Sequence, residues 1–171
     1  MNNKVVRRIT KNAIMLALLC IIGMFALPLG DNIKVSLQLL IVFIIALIAE
    51  SVVDAIIVTS LYLVLGLFMP IYAGFSAGLS PTFGFVISFV ILVIPVYFIN
   101  KIRIKNQFVR MGIACFVGLI VCYAIGGVFI SLYLKLSMEK ALLLTVVPYI
   151  PFDIAKIIIA TLVVSLIPKK S

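Results

Sequence analysis

Long uncharged stretches separated by short basic ones set the pattern of this chain. A helix that crosses ~30 Å of hydrocarbon needs about 20 apolar residues. Asn12 to Gly30 carries no charge and is read as a first helix. Val35 to Ala49 is a second, shorter run, and Glu50 and Asp54 then interrupt. Ala55 to Asn100 has no charged residue and is too long for one crossing. Pro70 and Pro81 bracket a loop inside it, which splits it into a third helix ending near Met69 and a fourth from Pro81 to Asn100. Met111 to Leu134 is the fifth helix and Pro151 to Pro168 the sixth. Proline suits a first helical turn, where its missing N–H would have no partner anyway. The pattern predicts an all-α membrane protein with six transmembrane helices, forming one domain over residues 1–171.

Composition agrees. The chain is 65% hydrophobic and 11% charged, whereas a soluble domain is about half apolar and a quarter charged. The net charge of +9 gathers at segment ends, which speaks for membrane orientation rather than for nucleic acid. With the N-terminus inside, Lys4, Arg7, Arg8, Lys11, Lys101, Arg103, Lys105, Arg110, Lys169 and Lys170 fall on the cytoplasmic side. Only Lys34, Lys135 and Lys140 fall outside, so both termini are expected in the cytoplasm. The basic start and apolar run have the form of a signal peptide. No clear small-x-small site follows, and the segment is read as the first helix. There is no histidine, which removes every histidine-based catalytic or metal site. Cys20, Cys115 and Cys122 have no metal-ligand spacing and read as small packing residues. No catalytic residue, metal or cofactor is expected.

One basic residue is left inside a span. Lys156 lies five residues past Pro151, roughly 7–8 Å deeper along a helix, and Asp153 is one turn above it. A spacing of three puts both side chains on one face. Charges inside a bilayer are costly unless paired or hydrated, and they mark sites or pathways. Two readings follow: an interfacial ion pair with a packing role, or the polar corner of an outward-facing ligand pocket.

The loop MPIYAGFSAGLSPTFGF, residues 69–85, has no charge and is rich in glycine and aromatic residues. An exposed loop would be more polar. It reads as an apolar cap over a pocket, or as a loop dipping into lipid. Ala13 and Ala17 form an A-x-x-x-A pair in the first helix, a spacing that lets another helix approach closely. Gly112, Gly118, Gly126 and Gly127 read as packing positions in the fifth helix.

These stretches together resemble the BioY family, the biotin-binding S-components of energy-coupling-factor (ECF) vitamin transporters. The match runs through Ala13 and Ala17, VSLQ at 35–38, the segment 62–85, and PYIPFDIAK at 148–156. The resemblance implies the ECF S-component fold in a bacterial cell membrane, with a pocket near the outer face. It implies a substrate-binding set of Gln38, Tyr72, Gly74, Phe75, Ser76, Gly78, Thr82, Phe83, Phe85, Asp153 and Lys156. It also implies that Ala13 and Ala17 meet a T-type membrane scaffold subunit, with two cytoplasmic ATPases supplying energy. The chain has no Gly-x-x-x-x-Gly-Lys-Ser/Thr loop of its own.

The chain departs from the family pattern at Phe75, Ala77, Phe83, Phe85 and Val86, all toward less polarity or more bulk. Those changes keep a lipoate-like carboxylate open beside biotin as the ligand. A ligand-free structural membrane protein is the reading from another class.

Overall fold

The structure is a computed structural model, and it describes residues 3–28 and 34–167. Six helices form the bundle: α1 (Asn3–Gly23), the short α2 (Gln38–Ile48), α3 (Val52–Phe68), α4 (Phe83–Ile99), α5 (Gln107–Leu134) and α7 (Ile150–Leu166). A short helix α6 (Met138–Thr145) and a 3₁₀ turn (Val147–Tyr149) lead into α7. Strands β1 (Ala26–Pro28) and β2 (Lys34–Ser36) pair antiparallel, with Ala26 opposite Ser36.

Several boundaries differ from the sequence reading, among them the start of the fifth helix, expected at Met111 and found at Gln107. The first helix was expected over Asn12–Gly30, yet α1 starts at Asn3 and ends at Gly23. Its polar start is anchored: Arg8 and Asn12 donate to Asp54, and Lys11 donates to the Ile48 carbonyl. The residues after Gly23 turn into β1, while Leu29 and Gly30 lie outside the described residues. The second run loses Val35 and Ser36 to β2. Helix α6 has no counterpart in the expectation, because Glu139 and Lys140 break the apolar pattern there. Ser137 caps it by accepting from the Lys140 N–H.

Helix α2 is apolar along its length and sits at the centre of the bundle. It packs against α1, α3, α4, α5 and α7. Val42, Phe43 and Ala46 are fully buried there. Close helix approach is set by absent side chains. A Cβ at Gly84 would lie 2.2 Å from Phe129 Cβ, and one at Gly118 2.5 Å from Val96 Cγ2. Gly126 and Gly127 also face neighbouring side chains, whereas Gly112 faces open space and has no packing role.

The outside of the bundle is apolar. Phe68 is 83% exposed, Leu132 75% and Leu166 81%. Such surface is unfavourable in water and suits lipid tails. Helix α5 has 28 residues, about 42 Å at the standard rise, enough to cross a bilayer. The start of α1, the α2–α3 turn, the α4–α5 turn and the end of α7 share one end of the bundle, through contacts such as Arg8 with Asp54 and Asn100 with Leu47.

Candidate functional site

At the other end, the helix starts and loops enclose a cavity of about 390 Å³. That volume falls within the usual range for small-molecule sites. Its charged corner comes from the first turns of α7. Asp153 and Lys156 are both buried, at 5% and 7% exposure. Lys156 Nζ donates to Asp153 Oδ1 at 2.6 Å. Tyr123 Oη, reaching across from α5, donates to Asp153 Oδ2 at 2.6 Å. An acid in the first turn is favoured by the helix dipole, and Asp153 also offsets the lysine placed just below it.

This corner has unused capacity. An ammonium has three donors, and the one bond of Lys156 to a described residue is the one to Asp153. Each Asp153 oxygen accepts one hydrogen bond from a described side chain and retains a second lone pair. The corner can therefore receive an acceptor at Lys156 and N–H donors at Asp153 together. Leu39, Phe85, Val86 and Phe89 supply an apolar wall, while Ser80, Thr82, Thr145 and Tyr149 bring hydroxyls.

Six of the residues implied by the family resemblance line this cavity: Gln38, Tyr72, Thr82, Phe85, Asp153 and Lys156. Gln38 is tied into the frame, its Nε2 donating to Tyr62 Oη at 2.5 Å. Tyr62 in turn donates to the Ile71 carbonyl, and Tyr72 Oη to the Leu63 carbonyl. This chain holds the loop after α3 over the bundle. Gly74, Phe75, Ser76, Gly78 and Phe83 are outside the lining. Gly74 donates its N–H to the Met24 carbonyl, Gly78 to the Gly66 carbonyl, and Ser76 pairs with Tyr72. These residues shape the loop. Phe75 points outward, 61% exposed, with its ring 6.0 Å from that of Phe25. Phe83 is buried between Tyr72 and Phe129. Ala13 and Ala17 are exposed on α1, away from its buried residues Met15 and Leu19.

The sequence reading missed Tyr123, Ser36, Ala26 and Tyr149 in the lining. Tyr123 had a usable signal: a phenol within the apolar run IVCYAIGG needs a partner for its hydroxyl.

Set beside known proteins, the chain matches the model of the BioY family over residues 1–171. It belongs to the BioY family. The membrane-embedded all-α fold follows with that membership. A curated relative is the biotin transporter BioY of Thermotoga maritima, 26% identical over 165 residues, with 92% of this chain and 93% of the relative covered. Among solved structures, the S-component for biotin from an ECF-type ABC transporter superposes with a TM-score of 0.88 at 22% identity. The match covers 100% of this chain and 95% of that one, so this BioY-family chain has the S-component fold.

Proposed function

We propose that this BioY-family chain is the substrate-specific component of an ECF-type transporter for biotin. The observation that carries this reading is the buried Asp153–Lys156 pair on the wall of an otherwise largely apolar cavity. Biotin combines a carboxylate, an apolar valeryl chain and a ureido ring with N–H donors. Lys156 complements the carboxylate or the ureido carbonyl, Asp153 complements the ureido N–H groups, and Phe85, Val86 and Phe89 complement the chain.

In this reading residues 1–171 act as one integral domain of a bacterial cell membrane, with both termini cytoplasmic and the cavity toward the outer face. The distribution of basic residues supports that orientation. The subunit is not an enzyme. It hands its vitamin inward through a T-type scaffold subunit and two cytoplasmic ATPases. The exposed Ala13 and Ala17 offer the scaffold a smooth helix face.

A binding titration of the detergent-purified chain tests the ligand. Biotin should bind tightly and be lost in Lys156→Ala and Asp153→Ala. Binding of lipoate alone moves the assignment to that carboxylate. A ligand-free structural role predicts that exchanging the two charges, Asp153→Lys with Lys156→Asp, costs the protein little; the transport reading predicts uptake lost and insertion kept.

A further inference from the structure

A second cavity of about 390 Å³ lies at the opposite end of α2, lined by Leu47 and Ile48 rather than by Gln38 and Leu39. Asn100, Lys101, Gln107 and Arg110 bring its polar groups, and Leu47, Met111 and Val164 are among its apolar lining residues. Among the described residues, no acidic one lines it. The chain has none at all between Asp54 and Glu139, while Lys101, Arg103, Lys105 and Arg110 crowd the α4–α5 turn.

Arg8, Lys11 and Lys156 each pair with a carboxylate. Among the described residues, Lys101 and Arg110 have no carboxylate partner. They are nevertheless held in place. Asn100 donates to the Leu47 carbonyl and accepts from Arg110 Nε at 3.3 Å, which leaves the two terminal guanidinium nitrogens for another acceptor. Lys101 Nζ stands 5.0 Å from the centre of the Tyr97 ring. A positioned guanidinium fork beside an ammonium suits the oxygens of a phosphate.

We propose that this cavity binds a phosphate-bearing anion, with Arg110 and Lys101 taking its oxygens. The apolar lining residues, and the exposed Ile102 and Phe108 nearby in the chain, fit an amphiphile whose phosphate meets the two cations. Two sources share this chemistry: the headgroup of an anionic phospholipid and free inorganic phosphate.

Native mass spectrometry of the full chain in a neutral detergent tests the site, with phosphatidylglycerol, phosphatidylcholine or inorganic phosphate added. Stoichiometric retention of phosphatidylglycerol over phosphatidylcholine is the result expected for a lipid source. Retention of inorganic phosphate without lipid preference identifies the free anion. In either case affinity should fall about tenfold in Arg110→Gln and in Lys101→Gln, and less in Arg110→Lys. Arg103→Gln, outside the cavity, should change it little. An unchanged melting temperature in each variant shows that the fold is retained. Equal retention of both lipids with no phosphate bound overturns the proposal, and so does an Arg103→Gln loss as large as that of Arg110→Gln.

Discussion

The hydroxyl of Tyr123 on α5 donates to the carboxylate oxygen of Asp153 on α7 that Lys156 leaves free, at 2.6 Å. One phenol thus fixes the rotation of the carboxylate and joins two helices at the cavity wall. Tyr123→Phe removes that bond and little else. Ligand affinity is expected to fall about three- to tenfold, in keeping with the ~1 kcal/mol of one hydrogen bond, with a near-wild-type melting temperature. Titration of the variant checks this. A loss as large as that of Lys156→Ala would mean that the phenol touches the ligand itself.

The Asp153–Lys156 pair separates stability from binding. Removing one partner leaves a buried charge uncompensated, which costs about 3–5 kcal/mol. Lys156→Met alone should therefore lower the melting temperature markedly. The double variant Asp153→Asn with Lys156→Met leaves no charge behind and should recover most of that loss. It should not recover ligand binding. Thermal melts and titrations of all three proteins check the split, and restored binding in the double variant would show that the charges serve the fold only.

Two glycines outside the cavity lining should control its shape. A Cβ at Gly66 would come within 1.9 Å of the Tyr72 ring, and one at Gly126 within 2.2 Å of the Phe85 ring. Both rings line the cavity. Gly66→Ala and Gly126→Ala must displace them, and overpacking of this kind costs roughly 1–3 kcal/mol. Affinity should drop about tenfold or more in each, while Gly112→Ala, which meets nothing within 4 Å, should bind like wild type.

At the far end, the carboxyl of Asp54 sits below its ordinary range. Burial alone would raise it, but hydrogen bonds from Arg8 and Asn12 and the charge of Arg8 outweigh that. The Arg8 guanidinium moves up in turn, chiefly through its hydrogen bond to Asp54. The folded value is the lower one. The stability from this contact is therefore fully present above the ordinary carboxylate value, about 3.9, and is lost as pH falls through the depressed one. Asp54→Asn should melt a few degrees below wild type at neutral pH, and the gap should close in acid. A gap that is constant with pH would contradict the linkage.

Much of the architecture was legible in the sequence, because a bilayer demands uncharged runs of a set length and leaves basic residues at their ends. Six helices, their order, and the placing of Asp153 and Lys156 on one helix face follow from that constraint and from the helical repeat. The start of α1 was not legible. Its basic residues read as a polar tail until Asp54, distant in the chain, supplies a partner. The hairpin of β1 and β2 and the helix α6 were hidden for a similar reason, since short elements at a bundle's end carry too few residues for a period to show.

By itself, then, the sequence determined the helical class and marked the one pair of opposite charges inside an apolar run, since charge there is costly whatever the fold. Only the tertiary structure decided which loop residues share a cavity with that pair. It turns Tyr72 and Thr82 inward, sends Phe75 outward, and brings Tyr123 from another helix onto Asp153. Those outcomes depend on helix contacts set by Gly66, Gly84 and Gly126 and on backbone hydrogen bonds across the loop. Such long-range pairings have no periodic trace along the chain.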